Sequence, residues 1–289
     1  MIRGASQARQ SGLALVLVLW LIALMTVVAA SFATQSKVES RLAHNSVQAL
    51  KARYLAESGF ARAIRELLVT DPAQRWEFDG RVYPLEDDFA VTRITIRPAS
   101  GLVNLNQAPR DVLIKLFALI SDEPQEREAL ADRLADWRDG DDLRRVAGAE
   151  DVDYRAAGYT YATAGRDLNS VDELAYVMGF DAARVARLRP FVTLYSSNGQ
   201  VDPRFAPNEL RELLQPESKG SASLSKAFDF IEPDWGEWKD GQGGGAGAEN
   251  NYRINVAVQT GQGARAFIQA DVTLQSQSDQ PYRVRDWRE

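Results

Sequence analysis

The chain has no cysteine and a single histidine, His44, among its 289 residues. The lack of cysteine excludes disulfide bonds and thiol chemistry, and one histidine leaves few ways to build a nucleophile–base pair or a zinc site. No cluster of possible partners surrounds His44, so we expect it to be an exposed helix residue. The chain also contains no P-loop, no metalloprotease motif and no nucleophile-elbow motif. These absences argue against an enzyme.

Charge is missing from a long stretch near the start of the chain. No charged residue occurs between Arg9 and Lys37, and an apolar run fills residues 13–33. As a helix, about 21 residues cover about 30 Å, which is the thickness of a bilayer core. A basic leader, residues 1–12, precedes the run and is predicted to stay on the cytoplasmic side. The sequence therefore predicts a single membrane span with the remainder on the other side.

The apolar run passes without a break into an amphipathic stretch over residues 34–70. The stop signal is Thr70-Asp71-Pro72, because the residue before a proline is disfavoured in the α region. We therefore predict one helix of more than about 50 residues, half in lipid and half in water. Apolar residues recur in its second half at spacings of mostly three to five, which indicates one broad face: Val38, Leu42, Val47, Leu50, Tyr54, Ala61, Ile64 and Leu68.

This N-terminal region resembles the superfamily of type IV pilins and type II secretion pseudopilins. The resemblance rests on the basic leader ending in Gly12, the apolar helix that starts at Leu13, and the stretch ARYLAESGFARAI over residues 52–64. It implies that a prepilin peptidase cuts between Gly12 and Leu13, and that Leu13 becomes the N-methylated residue. Major pilins carry a glutamate at the fifth mature position, where this chain has Leu17. A buried glutamate needs a partner from the subunit ahead, so a subunit with leucine there is suited to the tip of a filament.

The remaining 255 or so residues are enough for two domains, or for one domain with a large insertion. Residues 76–97 alternate between apolar and polar and predict two or three antiparallel strands. Alternation returns at 252–260 and 264–274, which predict a hairpin joined by Gly261-Gln262-Gly263. Four short helices are predicted between these strands, at 112–119, 126–137, 171–177 and 182–188.

This pattern predicts an α+β fold: a long N-terminal helix on an antiparallel sheet, with a large inserted all-α domain. We expect the pilin-like domain to comprise residues 71–100 and 190–289, and the inserted α-domain residues 101–189. A repeated frame supports the insertion. Gly101 leads into Ala108-Pro109-Arg110, and Gly199, about 98 positions later, leads into Ala206-Pro207-Asn208. Both frames read as a turn followed by a proline at a helix start.

Further segments extend the resemblance to the K-type minor pseudopilins of type II secretion systems. They are GLVNLNQAP, DWRDGDD, GAEDVDY and DELAYVMG followed by LRPFVT. The resemblance implies a minor pseudopilin at the tip of the pseudopilus, which helps to initiate or cap it. Its implied partners are the I-type and J-type minor pseudopilins, the prepilin peptidase and the inner membrane. The implied location is a single pass in the inner membrane, with the bulk of the chain periplasmic.

An acidic cluster is the one constellation that suggests chemistry. Asp139, Asp141 and Glu150 fit positions one, three and twelve of an EF-hand, but Arg144 stands where that loop needs glycine, so an EF-hand is rejected. Two interpretations stay open from the residues: a calcium loop of another type, or a solvated acidic loop paired with Arg138, Arg144, Arg145 and Arg155. The family resemblance implies calcium. The candidate ligands are Asp136, Asp139, Asp141, Glu150, Asp151 and Asp153.

Two alternative functions are weighed against this reading. The segments VNLNQAP and LNSVDEL resemble helix-hairpin-helix modules, so a minor pilin of a DNA-uptake or type IV pilus system is one alternative. The net charge of −6 argues against nucleic acid as a partner. A membrane-anchored periplasmic metal-dependent enzyme is the other alternative, although nothing in the sequence requires it. The run GQGGGA at 241–246 follows no predicted strand, so it reads as a loop and not as a dinucleotide site.

Overall fold

The structure is a computed structural model that describes residues 11–71, 73–197, 199–214, 250–275 and 280–289, with side chains from residue 15 onward. Most of the basic leader, Pro72 and the glycine-rich run at 241–246 lie outside these residues. The first element is helix α1, Ser11–Leu68. It confirms the single long helix and ends two residues before Thr70. The hydroxyl of Thr26 donates to the carbonyl of Ala23 (2.7 Å), which satisfies this polar group within the apolar half.

A five-stranded antiparallel sheet lies against the second half of α1. Its strands are β1 (Val82–Glu86), β2 (Ala90–Pro98), β5 (Asn251–Thr260), β6 (Arg265–Leu274) and β7 (Tyr282–Arg288). They are arranged in the order β1-β2-β5-β6-β7. The predicted strand region and hairpin are confirmed, whereas β7 was not predicted. Its sequence, YRVRDWR, is too charged to show a clear apolar alternation.

The sheet packs on a stripe of small and apolar residues of α1. The buried stripe is Ala52, Ala56, Phe60, Ala63, Ile64 and Leu67. Gly59 lies between them, and a Cβ there would be 2.7 Å from Val256 Cγ1 of the sheet. Small side chains therefore set the short distance between helix and sheet.

The amphipathic face predicted from the sequence is not the face that carries the sheet. Of its eight members only Ile64 is buried, and Val38, Leu42, Val47, Leu50, Tyr54 and Leu68 are exposed. The periodicity identified the apolar positions of the open face. Alanine and glycine are only weakly hydrophobic, so the stripe that contacts the sheet does not stand out in the amphipathic pattern. The helix therefore has two apolar faces, one covered and one open.

Between β2 and β5 the chain forms a separate helical unit. It contains α2 (Arg110–Leu116), α3 (Pro124–Arg138), α4 (Asp151–Ala156), α5 (Ala182–Leu188) and α6 (Asn208–Leu214). The predicted helix at 171–177 is a 3-10 helix, Val171–Tyr176. Two short parallel strands, β3 (Val103–Asn104) and β4 (Val192–Thr193), close the base of the unit. The α+β class with an inserted helical region is thereby confirmed.

The core of the helical unit extends past residue 189, where we expected the insertion to end. Val192, Ala206 and Leu210 belong to the same buried cluster as Leu113 and Leu134 of the first helices. These residues of the segment 190–214 thus pack in the core of the helical unit, and Arg97 of β2 donates to the carbonyl of Phe205 in the same segment. The sequence signal was misleading because the turn at Gly199 looks like a return to the sheet.

The insertion leaves the sheet at the end far from the apolar half of α1. Pro98 pairs with Tyr252, so the chain enters and leaves at neighbouring positions. At the opposite end of these strands the β5–β6 turn reaches back along α1, where Gln262 Oε1 lies 2.9 Å from His44 Nε2. The exposed position predicted for His44 is found, with this one added contact. The helical unit therefore sits beyond the distal end of the long helix.

Candidate functional site

Three of the predicted acidic ligands meet in one place in the helical unit. Asp136 lies in the last turn of α3, Asp139 caps that helix, and Glu150 precedes α4. One carboxylate oxygen from each lies within 4.8 Å of the others. Asp136 is fully buried and Glu150 is only 6% exposed. The loop between α3 and α4 thus folds back and brings together residues that are far apart in the sequence.

Arg145 compensates part of this negative charge. Its Nη1 lies 2.5 Å from Asp136 Oδ1 and 2.5 Å from Asp139 Oδ2, and its backbone N–H donates to Asp136 Oδ2 (3.2 Å). Two oxygens stay without a hydrogen-bond partner although they are buried: Asp139 Oδ1 and Glu150 Oε1.

Arg144 pairs with Asp153 (3.0 Å) and Arg155 with Asp151 (3.5 Å), whereas Arg138 donates to the carbonyl of Leu105. Three of the four arginines considered from the sequence therefore pair with the acidic residues, and two carboxylate oxygens stay unsatisfied.

Gly148 is required by this arrangement and was not recognised in the sequence. A Cβ on Gly148 would be 1.8 Å from Asp136 Oδ2, so no larger residue fits while the carboxylate keeps its place. The sequence gives little signal for this, because a glycine in a polar loop is normally read as a turn.

The electrostatics of the cluster are most visible at Glu150. Burial is the largest cause that raises the pKa of its carboxyl group, and together with the neighbouring charges of Asp136, Asp139, Asp142 and Asp141 it brings this pKa to about 7. Near neutral pH the group is therefore partly protonated. A carboxyl group with these neighbours ionises more readily when a cation lies beside it.

The other three predicted ligands make contacts of their own. Asp141 Oδ1 accepts the N–H of Leu143 (2.8 Å) in an exposed turn. Asp151 accepts the N–H (3.0 Å) and the hydroxyl (2.9 Å) of Thr163, and these hydrogen bonds lower its pKa. Asp153 accepts the N–H of Glu150 (3.0 Å), which lowers its pKa and caps α4.

The residues that come together are chemically suited to a hard divalent cation. Calcium prefers six to eight oxygen ligands from flexible loops, and carboxylates supply most of them. Asp136, Asp139 and Glu150 offer such oxygens, two of which lack any partner. Three carboxyl groups beside one guanidinium keep an uncompensated negative charge, so the donor set fits a cation.

A second candidate site is the open face of α1. The helix is long and apolar enough to cross a membrane, and none of its most apolar window is buried against the rest of the chain. The open face continues beyond the predicted span through a stripe of exposed apolar residues that we call the seam: Val38, Leu42, Val47, Leu50 and Tyr54. Exposed apolar surface of this length marks a membrane or protein contact. Of the predicted processing site, Gly12 and Leu13 lie in the first turns of α1.

The helical unit is attached to the sheet by a hydrogen bond from a buried arginine and by an exposed ion pair, neither of which the sequence indicated. Arg253 of β5 forms a two-point pair with Asp271 of β6 and also donates to the carbonyl of Arg189 (3.0 Å) in the helical unit. Asp172 accepts from Arg288 Nη2 (2.6 Å) of β7 and pairs with Arg189. These contacts fix the orientation of the two units.

Comparison with known proteins agrees with this architecture. The family described as "Type II secretion system (T2SS), protein K" matches residues 94–197, and the family "PilX N-terminal" matches residues 11–61. The chain is 30% identical over 203 residues to the type II secretion system protein K of Klebsiella pneumoniae. Over these residues the chain is similar to the type II secretion system protein K family. The protein K family match covers the second half of β2 and the helical unit as far as Ser197.

Two further relatives define the extent of the match. The protein K of Pseudomonas aeruginosa is 30% identical over 207 residues, which is 64% of this chain and 62% of that protein. The protein K of Aeromonas hydrophila is 28% identical over 217 residues, or 66% of this chain and 65% of that protein. For the Klebsiella pneumoniae protein the shares are 64% and 62%. The chain thus spans a little under two thirds of these relatives' length.

A solved structure shares the fold. It is the crystal structure of the GspK-GspI-GspJ complex from the enterotoxigenic Escherichia coli type 2 secretion system. The match has a TM-score of 0.51 at 18% identity and covers 86% of this chain and 98% of the other. At this identity the likeness concerns the fold alone.

Proposed function

We propose that this chain is a minor pseudopilin of a type II secretion system, which assembles at the tip of the pseudopilus and helps to initiate or cap it. Its role is structural and involves no catalysis. Its partners are the I-type and J-type minor pseudopilins, and its anchor is a single helix in the inner membrane with the rest of the chain periplasmic. The match of residues 94–197 to the protein K family and the fold shared with a structure of the GspK-GspI-GspJ complex support this proposal.

The open seam on α1 is the observation that carries the proposal. Leu42, Leu50 and Tyr54 are between 53% and 66% exposed, although they lie beyond the span of residues 13–33. Isolated, this surface costs free energy in water, at about 25 cal/mol per Å². Packing against similar helices removes the same surface from water and keeps the apolar half buried when it leaves the lipid. The seam therefore serves assembly and not only membrane insertion.

The position of the helical unit supports a place at the tip. It leaves the sheet at Pro98 and Tyr252, at the end away from the contact of His44 with the β5–β6 turn. A unit placed there occupies the space above the long helix, where the next subunit of a filament would stack. Leu17 also needs no charged partner from a subunit ahead, because its side chain is uncharged. Both features favour the cap of a filament over its shaft.

Proteolytic processing provides the first test. We propose that a prepilin peptidase cuts after Gly12 and that Leu13 becomes the methylated N-terminus. Mass spectrometry should show that the N-terminal peptide of the wild-type protein starts at Leu13. The Gly12→Val protein should retain the leader. Gly4→Val is the matched control, because it changes another glycine of the leader and should be processed normally. A processed Gly12→Val protein, or a mature chain that lacks the apolar helix, would contradict the proposal.

Assembly through the seam provides the second test. Leu50→Glu places a charge in the seam and should reduce co-purification with the I-type and J-type minor pseudopilins at least about tenfold. Asn45→Glu adds the same charge at another exposed position of α1 and should leave co-purification unchanged. Both residues are exposed in the single chain, so the unfolding temperature should not change. Equal recovery of partners with both variants would exclude the seam as the assembly surface.

We further propose that Asp136, Asp139 and Glu150 hold a calcium ion that stabilises the helical unit. The buried and unpartnered oxygens of Asp139 and Glu150 support this assignment. Millimolar calcium should raise the unfolding temperature of the wild-type chain by several degrees, and Asp139→Asn should abolish the rise. Asp141→Asn is the control, since Asp141 contacts only the exposed turn at Leu143 among the described hydrogen bonds. No stabilisation by calcium would remove the site.

A further inference from the structure

Arg145 occupies the carboxylates that a cation would need. Its Nη1 lies at 2.5 Å from both Asp136 Oδ1 and Asp139 Oδ2. The same two residues form, with Glu150, the cluster whose oxygens lie within 4.8 Å of one another. A guanidinium group only donates hydrogen bonds and cannot coordinate a cation. The arginine and a divalent cation therefore compete for the same oxygens.

The charge of Arg145 is not sufficient to satisfy the cluster. One positive group faces three carboxyl groups, and Asp139 Oδ1 and Glu150 Oε1 receive no hydrogen bond. Glu150 is only 6% exposed, so its unpaired oxygen carries a desolvation cost. Arg145 thus compensates part of the negative charge of the two aspartates and makes no ion pair with Glu150 among the described contacts.

The arginine can leave without disturbing the core. Its side chain is 42% exposed, in contrast to the fully buried side chain of Asp136. Its neighbours Leu143 and Val146 are among the most exposed apolar residues of the chain, at 77% and 102%. Because the loop makes few packing contacts at these positions, withdrawal of Arg145 costs mainly its own ion pairs.

We propose that Arg145 is the counter-ion of this cluster when no divalent cation is bound. By competing for the same carboxylates, it determines the cation concentration needed to occupy the site. The proposal rests on the calcium site proposed above. In the absence of the ion Arg145 holds Asp136 and Asp139 together, and it withdraws toward solvent when the ion binds. Arg145 therefore protects the fold of the cation-free chain and lowers its affinity for calcium.

Calcium titration of the full-length protein in detergent tests this role. Isothermal titration calorimetry should show at least about tenfold tighter calcium binding for Arg145→Gln than for wild type, because the competing ion pairs are gone. The calcium-free variant should unfold at a lower temperature than wild type, and saturating calcium should abolish that difference. Arg204→Gln is the matched control: Arg204 pairs with Asp202 on the surface, and its loss should change neither quantity.

The outcomes distinguish a competing role of Arg145 from a purely structural role at the site. Weaker or equal calcium affinity in Arg145→Gln would overturn the proposal, because a residue that merely shapes the site does not compete with the ion. If Arg145→Gln is unfolded without calcium, recovery of its fold on calcium addition supports the proposal and failure to recover overturns it. If neither protein binds calcium, this proposal and the calcium site both fail, while the pseudopilin function is judged separately by processing at Gly12.

Discussion

Gly101 and Gly199 each lie against the backbone of the other's segment. A Cβ on Gly101 would be 2.3 Å from the carbonyl oxygen of Phe205, and a Cβ on Gly199 would be 2.1 Å from that of Gln107. Phe205 and Gln107 are separated by the same distance in sequence as the two glycines. The repeated frames found in the sequence therefore pack on each other reciprocally, with α2 and α6 side by side at the prolines that begin them.

This packing predicts that the stability of the helical unit depends on each of the two glycines. Gly101→Ala or Gly199→Ala should lower the free energy of unfolding by about 1–3 kcal/mol, since a methyl group meets backbone that cannot rotate away. The double variant should lose less than the sum, because the first change already separates the two frames. Thermal unfolding of the full chain in detergent measures both effects. Gly140→Ala is the control, as its nearest neighbour lies at 3.6 Å; equal losses there would contradict the argument.

The buried pair of Arg253 and Asp271 predicts a large effect in the sheet. Both side chains are almost fully buried and share two contacts of 2.7 Å. Asp271→Asn should cost about 3–5 kcal/mol, because it leaves a buried guanidinium without its counter-charge. Glu57→Gln breaks the exposed pair with Arg53 and should cost about 0.5 kcal/mol or less. The difference between the two unfolding midpoints is the measurement. Similar shifts would show that burial of the pair has no consequence.

The short distance between α1 and the sheet at Gly59 predicts that a larger side chain at this position destabilises the chain. Gly59→Val should destabilise the chain by about 1–3 kcal/mol, because its added carbons meet Val256 and Thr92 of the sheet. Ser58→Val introduces the same residue at an exposed position of α1 and should stay within about 0.5 kcal/mol of wild type. Unfolding temperatures of the two variants provide the comparison. A stabilised Gly59→Val protein would mean that helix propensity outweighs the contact.

Glu150 predicts a pH dependence of the cation-free chain. Its pKa is raised to about 7 in the folded state from an ordinary value near 4.5. Between these values the folded chain keeps a proton that the unfolded chain has lost, so stability falls as pH rises from about 5 to 8. Unfolding temperatures measured with a chelator at several pH values test this. Glu150→Gln cannot titrate and should show a flatter profile; profiles of equal slope would rule out Glu150 as the cause.

Several elements followed directly from residue order. The absence of charge between Arg9 and Lys37 and the pattern through residue 68 are sufficient for one long helix, because helix formation depends on local spacing. The hairpin of β5 and β6 follows from alternation around a glycine turn. Of the six acidic residues predicted as ligands, the structure brings together the carboxylates of Asp136, Asp139 and Glu150. Which carboxylates meet depends on how the loop between α3 and α4 folds, and local spacing does not encode that.

By itself, the sequence determined the apolar rod, the α+β class and the inserted helical block, since these depend on composition and periodicity over short stretches. Only the tertiary structure decided that the sheet covers the alanine stripe at residues 52–67 and leaves the seam open. It also decided that residues 190–214 belong to the helical unit and that Arg145 sits between Asp136 and Asp139. Each of these outcomes depends on which surfaces meet across long distances in the chain. Burial and close packing select those contacts, and the periodicity of one segment carries no information about its partner.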